Sequence, residues 1–268
     1  MSKKVTQRSF GGPEVLEVID VPVPAADDLG PDEVLVRVAA AGVNPVDWKT
    51  RAGIGVAMPG DLPFTVGWDL AGTVEALGPQ VTGFAPGDRV FAMSRFPFQA
   101  AAYAQYAVVP AGDLVATPAP VTDEAAAALP LAALTAWQGL IDTAQVQAGQ
   151  RVLIHGAGGG VGHLAVQIAR HLGADVTATA RPAKHDWLLS LGAHQVIDYT
   201  RDDFTRILRD APVDLVLDFI AGDVGPRSAQ VIAPGGLLVQ FPAGMAQRLR
   251  PPLTPPGCAS MFRTPEPG

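Results

Sequence analysis

Arg151-Val152-Leu153-Ile154-His155-Gly156-Ala157-Gly158-Gly159-Gly160-Val161-Gly162-His163-Leu164-Ala165-Val166-Gln167-Ile168-Ala169-Arg170 is the stretch on which the reading of this chain turns. A short apolar run ends at His155, a string of glycines follows, and an amphipathic helical pattern opens at Gly160. The spacing Gly156-x-x-Gly159-x-x-Gly162 is a variant of the G-x-G-x-x-G fingerprint. Glycines at a strand-to-helix turn allow a tight turn, close approach of backbone to a pyrophosphate, and close packing of helix on strand. The helix N-terminus adds unpaired N–H groups and the positive end of a dipole. A glycine string alone is also compatible with a merely flexible turn, so its surroundings decide.

Downstream, strand and helix patterns alternate. Arg151–His155 reads as a strand and Gly160–Leu172 as a helix, then Asp175–Thr179 as a strand and Lys184–Leu191 as a helix. His194–Ile197, Val213–Phe219 and Gly236–Phe241 read as further strands, with helices over Asp203–Asp210 and Pro226–Ile232. Five strands joined by crossover helices imply a parallel sheet covered on both faces, and right-handed crossovers make it doubly wound. That context favours a bound dinucleotide over a plain turn.

Which dinucleotide is read at the end of the next strand. An NAD site carries an acid there, about 20 residues on, to hold the ribose hydroxyls. Here the strand runs out as Thr179-Ala180-Arg181-Pro182-Ala183-Lys184, with no acid and two cations, and Asp175 stands at its opposite end. Arg181 and Lys184, assisted by Thr179, suit a 2′-phosphate through charge-assisted hydrogen bonds. The alternative is a pair of solvated loop cations. NADP(H) is the expected cofactor.

Upstream the pattern differs. Glu14–Val21, Glu33–Ala39, Leu70–Leu77, Arg89–Ala92 and Tyr103–Val109 read as short strands, broken at Pro22, Pro24, Gly30-Pro31, Gly78-Pro79, Pro86-Gly87 and Pro110. Strands so spaced suggest a small β-barrel or sandwich. Thr122-Asp123-Glu124 then opens an alanine-rich helix with an N-cap and acids in its first turn, and Pro130 starts another carrying Leu131, Leu134, Trp137 and Leu140.

Composition narrows the partners. In 268 residues, 48% are hydrophobic and 17% charged, which argues for a sizeable core and against disorder. A formal charge of −7 disfavours a general nucleic-acid binder, whose affinity rests on clustered Lys and Arg. A single cysteine, Cys258, excludes an intrachain disulfide framework and any multi-cysteine metal site. Met1–Arg8 lacks the apolar stretch of a secretory signal, and Pro130 interrupts the longest apolar candidate for a membrane span. A soluble cytoplasmic protein, with no membrane and no nucleic-acid partner, is expected.

Taken together the chain resembles the medium-chain dehydrogenase/reductase superfamily, in its zinc-free quinone oxidoreductase branch. The matching pieces are Gly11-Gly12-Pro13-Glu14-Val15-Leu16, Ala41-Gly42-Val43-Asn44-Pro45-Val46-Asp47, Pro63-Phe64-Thr65-Val66-Gly67-Trp68-Asp69-Leu70-Ala71-Gly72 and Pro86-Gly87-Asp88-Arg89-Val90. Leu134-Thr135-Ala136, the glycine loop and Leu191-Gly192-Ala193 with Val196-Ile197-Asp198-Tyr199 continue them, collinear over residues 9 to about 245. The resemblance implies an α/β protein. Residues 1–122 would form a GroES-like β-barrel catalytic domain, 123–250 a Rossmann doubly wound parallel sheet binding NADP(H), and 251–268 a disordered proline-rich tail.

By the same resemblance, Asn44 stands where a zinc-dependent relative has its first cysteine ligand, and Trp68-Asp69 where that relative has its His-Glu pair. A catalytic zinc wants three ligands from Cys, His, Asp or Glu, so no metal is expected. Zinc-free relatives reduce quinones or the C=C bond of enones and enals, which builds negative charge on a carbonyl oxygen. The residues implied for catalysis are Asn44 as amide donor, Asp47 as a residue that orients the neighbouring network, and Lys49 as donor to the enolate or to a cofactor phosphate. Those implied for the cofactor are Thr135 near the nicotinamide, Gly156, Gly158, Gly159, Gly160, Val161 and Gly162 at the pyrophosphate, Thr179, Arg181 and Lys184 at the 2′-phosphate, and Tyr199 at the adenosine end.

Plainer roles compete. Asn44 and Asp47 also suit turn formation, Lys49 a solvated surface, Thr135 a bond to its own helix, and Tyr103 and Tyr106 the packing of the β-domain or an edge of the cleft. His155 and His163 lack a second ligand at metal spacing and are expected to be structural, while Trp68 suits either a cleft wall or the core. Leu249 to Gly268, with Pro251, Pro252, Pro255, Pro256, Pro265 and Pro267, reads as a flexible or polyproline-like tail in place of the family's returning segment. A truncation or reading-frame change near residue 245 is expected, leaving a sheet edge open or paired with another chain. The expected activity is NADPH-dependent hydride transfer to a small-molecule quinone or α,β-unsaturated carbonyl, with a homodimer left open. An enoyl-thioester reductase and a non-catalytic NADP(H)-binding protein are the alternatives.

Overall fold

Period-two burial builds the N-terminal sheet. In Arg89–Met93 the side chains of Val90 and Ala92 are inside and their neighbours are not, and Tyr106–Pro110 repeats this with Ala107 and Val109. One buried face of an antiparallel sheet requires that alternation. The structure is a computed structural model and describes residues 1–55, 57–241 and, as backbone, 258–260. It divides into two compact units, Met1–Leu131 and a second that begins at Ala132.

The first unit contains β1 (Ser2–Gln7), β2 (Leu16–Val21), β3 (Glu33–Ala41), α1 (Pro45–Arg51), β4 (Asp69–Leu77), β5 (Arg89–Met93), β6 (Tyr106–Pro110), β7 (Val115–Ala116) and α2 (Asp123–Ala128), and α3 (Pro130–Trp137) leads on from it. Antiparallel neighbours run in the order β6-β3-β4-β5-β7, and β1 pairs with β2 as a separate hairpin. Single bridges, Lys4 to Ala104 and Gln7 to Phe64, tie that hairpin in. Val34, Val36, Leu70, Val74, Val90, Ala92, Val109 and Leu114 fill the interior of this GroES-like barrel. Pro86-Gly87-Asp88 forms the expected tight turn: Ala85 N–H donates to Asp88 Oδ2 at 2.8 Å and Asp88 N–H to Ala85 O at 3.1 Å.

The two compact units divide at Leu131/Ala132, so α2 lies with the first of them. Ala126 and Ala127 pack on Ala71 of β4, and Arg89 of β5 grips the helix start by donating to Asp123 Oδ1 at 2.7 Å and to Val121 O at 2.7 Å. Thr122 caps it, accepting from Ala125 N–H at 3.2 Å.

The second unit contains β8 (Arg151–His155), α4 (Gly162–His171), β9 (Asp175–Ala180), α5 (His185–Ser190), β10 (Gln195–Asp198), α6 (Phe204–Ile207), β11 (Val213–Asp218), α7 (Val224–Ser228), β12 (Ile232–Gln240) and β13 (Cys258–Ser260). Its strands are all parallel, in the order β10-β9-β8-β11-β12-β13. Alternate residues of one strand feed opposite cores. Val152 and Ile154 join Ala165, Val166 and Ala169 of α4 on one face; Leu153 joins Phe204, Leu208 and Val231 on the other. That is the doubly wound arrangement, with the strand order reversing between β8 and β11, where ligands of such sheets bind at the carboxyl ends of the strands.

Two expectations change here. The sheet has six strands, not five: Cys258–Ser260 pairs in parallel with Leu238–Gln240, so the edge of β12 expected to be open is covered there. The rest of the expected tail, and the expected break near residue 245, lie outside the described residues. Among the described residues no helix is long and apolar enough to cross a membrane.

Candidate active site

Asn44-Pro45-Val46-Asp47 is a helix start written in sequence: a polar N-cap, proline at the first helical position, and an acid at the third. Asn44 N–H donates to Asp47 Oδ2 at 2.6 Å, and Asp47 N–H returns to Asn44 O at 3.0 Å. So both residues form a turn, as the plainer reading had it, but their side chains do more. Asn44 Nδ2 donates to Asp69 Oδ2 at 2.8 Å, and Tyr103 Oη donates to Asp47 Oδ2 at 3.0 Å. Asp69 also accepts from Leu131 N–H at 3.1 Å.

These carboxylates are deeply placed, Asp69 fully and Asp47 nearly so. Burial pushes the Asp69 carboxyl up to about 7, against the pull of the Asn44 and Leu131 donors and with a push from Asp47. Burial likewise raises Asp47, opposed by Asn44 N–H, Tyr103 and Gly67 N–H. The Tyr103 phenol is raised by burial and by the neighbouring Asp47 charge. Lys49, half-buried in the last turn of α1, holds its ammonium 5.6 Å from the Trp48 ring centre, and burial lowers its pKa.

Asp69 and Tyr103 are the partners that stood outside the candidate catalytic set. A carboxylate between Trp68 and Leu70, in the otherwise apolar stretch Val66–Gly72, was the available signal for Asp69. Trp68, left open between wall and core, is fully buried and donates Nε1–H to Phe98 O at 2.7 Å. A tryptophan so engaged and an asparagine amide aimed at a carboxylate do not make a zinc donor set. Among the described residues no three His, Cys, Asp or Glu side chains gather closely enough to hold a metal ion.

The second unit supplies the glycine turn. Gly156 takes a left-handed φ of +69°, which favours glycine, and Gly159 N–H donates to Gly156 O at 3.0 Å. A Cβ on Gly162 would stand 2.3 Å from Gly156 O and 2.6 Å from Ala157 Cα, so this position needs a bare backbone for α4 to pack against the turn. A Cβ on Gly160 would meet nothing within 4 Å. Val161 precedes α4, whose first N–H groups complete the anion-facing end.

At the end of β9, Arg181 Nε donates to Tyr199 Oη at 3.0 Å, and Lys184 lays its stem along Gly158, whose added Cβ would meet Lys184 Cγ at 3.3 Å. Arg181, Lys184 and Tyr199 are all exposed. Thr179 is not with them: it is buried, with Oγ1 3.1 Å from His155 Nδ1. His155 Nε2 lies 3.0 Å from Ser228 Oγ, which itself donates to Val224 O at 2.8 Å. Burial pulls the His155 pKa down to about 4, so a neutral ring ties β8, β9 and α7 together beneath the loop. Thr135 sits half-buried on α3.

The donor set fits a phosphorylated dinucleotide: a bare-backbone turn at a helix N-terminus, and two exposed cations with no carboxylate within ion-pair reach among the described residues. Comparison with known proteins agrees. Residues 30–119 match the family model for the alcohol dehydrogenase GroES-like domain, and residues 160–256 that for zinc-binding dehydrogenase. The chain is 36% identical over 236 residues to a pig (Sus scrofa) quinone oxidoreductase, covering 86% of this chain and 70% of that one. It is 39% identical over 235 residues to the spectinabilin polyketide synthase system protein NorB of Streptomyces orinoci, covering 86% of this chain but 10% of that much longer protein. Among solved structures, a mycobacterial protein complexed with NADPH superposes with a TM-score of 0.81 at 33% identity, covering 98% of this chain and 82% of the other. The chain belongs to the medium-chain dehydrogenase/reductase superfamily, in its zinc-free quinone oxidoreductase branch.

Proposed function

We propose that this protein is an NADPH-dependent, zinc-independent oxidoreductase that delivers hydride to a small quinone or to the C=C bond of an α,β-unsaturated carbonyl. The observation that carries the reading is the glycine turn beside two cations, Arg181 and Lys184, that no carboxylate among the described residues neutralises. Gly156 to Gly162 hold the pyrophosphate, Arg181, Lys184 and Tyr199 the 2′-phosphate end, and Thr135 the nicotinamide end. The bound cofactor supplies a hydride to the electrophilic carbon.

The chain's own part in the chemistry is to receive the charge that hydride addition creates. Asn44 does this with an amide whose orientation is fixed, since one Nδ2–H is committed to Asp69 and an amide nitrogen carries two. The second N–H is left to donate to the carbonyl oxygen as it becomes an oxyanion, and a preset donor stabilises charge without reorganising. Asp47 fixes the backbone of Asn44 through the helix cap, and Tyr103 steadies Asp47. Lys49 is the proposed proton source, its lowered pKa easing release. A cytoplasmic setting and a homodimer complete the proposal.

The test is loss of dihydronicotinamide absorbance with a panel of quinones, enals, enones and one enoyl thioester, using NADPH and NADH in parallel. Turnover of a quinone or an enone, faster with NADPH, is expected. Tight NADPH binding with no turnover of any acceptor would leave a binding protein and contradict the reading.

A further inference from the structure

Lys184 is held in a particular way. Its ammonium sits 4.6 Å from the ring centre of Trp187, three residues on in α5. A second neighbour of that ring is His163 in the first turn of α4, stacked at 5.4 Å with 28° between planes. His163 Nδ1–H in turn donates to Gly159 O at 2.9 Å, inside the glycine turn. The chain of contacts thus closes on itself: Gly159, His163, Trp187, Lys184 and, through the lysine stem, Gly158.

The chemistry of the partner matters. A carboxylate beside Lys184 would order it but cancel its charge; an aromatic face orders a long side chain and leaves the positive charge available. Ordering in advance also removes rotamer freedom that a lysine otherwise loses on binding an anion. Arg181 is treated alike, resting on the neutral hydroxyl of Tyr199.

We propose that Trp187, stacked on His163, is a specificity-determining positioning residue: it holds the Lys184 ammonium ordered and unneutralised beside the glycine turn for the 2′-phosphate that distinguishes NADPH from NADH. The inference rests on the proposed NADPH site and adds to it the residue that sets how strongly the phosphate counts.

Binding of 2′,5′-ADP and of 5′-AMP, neither of which carries a reactive nicotinamide, tests it by calorimetric titration of the full chain. Trp187→Leu is expected to weaken 2′,5′-ADP about fivefold and leave 5′-AMP unchanged, while Trp187→Phe keeps most of the preference. In a Lys184→Met background, Trp187→Leu should then have no further effect, because the pair acts as a unit. Equal weakening of both ligands, no weakening of either, or a full loss persisting in the Lys184→Met background would each overturn the proposal. Wild-type protein that binds the two ligands equally would overturn the phosphate-site reading itself, and the proposal with it.

Discussion

Gly162→Val unfolds the cofactor turn: dinucleotide binding is lost and the protein is less stable by about 3 kcal/mol or more, a cost in the upper range for overpacking a rigid site. The reason is which atoms are in the way. A Cβ at this position meets Gly156 O at 2.3 Å and Ala157 Cα at 2.6 Å, both backbone atoms of the turn that α4 packs against. No rotamer change relieves that contact; either the helix withdraws or the turn opens. Gly160→Ala is the matched control, since its Cβ meets nothing within 4 Å, and it should melt like wild type. Thermal melts of both variants, with 2′,5′-ADP titrations, check the pair. A Gly162→Val protein that melts and binds normally would mean the turn is looser than drawn.

Asp69→Asn changes how stability depends on pH. The Asp69 carboxyl has an ordinary value of 3.8 and is raised to about 7 in the folded chain, chiefly by burial. A raised carboxyl contributes stability that is complete below the unfolded value of 3.8 and is lost as pH climbs through about 7. An asparagine there cannot ionise and lacks this slope. The variant should therefore gain about 4 kcal/mol relative to wild type between about pH 4 and about pH 8, whatever its constant cost from a misplaced amide hydrogen. Urea unfolding across that range reads the difference. Wild-type kcat/KM should also rise through about pH 7 as the ionised carboxylate takes hold of the Asn44 amide, and the variant should be flat. A pH-independent stability gap would show Asp69 to be ionised throughout, held by Asn44 and Leu131 against its burial.

Most of the second unit was legible because its signals are local. Val152–Ile154 and Leu215–Leu217 are apolar runs at the centre of the parallel sheet, α4 begins at a glycine and α6 beside the capping Asp203, and the turn is seven consecutive positions. Ile232–Gln240 begins earlier than expected because the strand absorbs Pro234-Gly235-Gly236 through a register shift opposite Val213 and Leu215, which no alternation reports. Cys258–Ser260 carries no periodic pattern and gains its strand only from the neighbour it lies beside. In the first unit, Ser2–Gln7 was missed because its polar residues look like a surface tail until Leu16–Val21 pairs with them. The alanine-rich helix lies with the first unit, packed on Ala71, and small residues do not declare in sequence which face they pack on.

The site divides the same way. Asn44 and Asp47 were visible as a pair because a helix cap is a four-residue pattern. Their partners Asp69 and Tyr103 lie 25 and 56 residues away in sequence, brought near by strand pairing, and no local spacing encodes that. Thr179 stood at the right distance from the glycine loop for the 2′-phosphate, but strand alternation turns it inward to His155, while Arg181 falls outside. The Lys184–Trp187 contact, at a helical spacing of three, was available to inspection and went unnoticed beneath the charge.

The central claim is that this chain moves a hydride from NADPH to an activated carbon with no metal at work. One measurement addresses it most directly: incubation with NADPH deuterated at C4 and a simple enone, with and without a strong chelator, followed by mass and NMR analysis of the product. Deuterium at the β-carbon, at a rate the chelator leaves unchanged, is the predicted result. A reduced product without the label, or turnover that collapses on chelation and returns with zinc, would contradict the account.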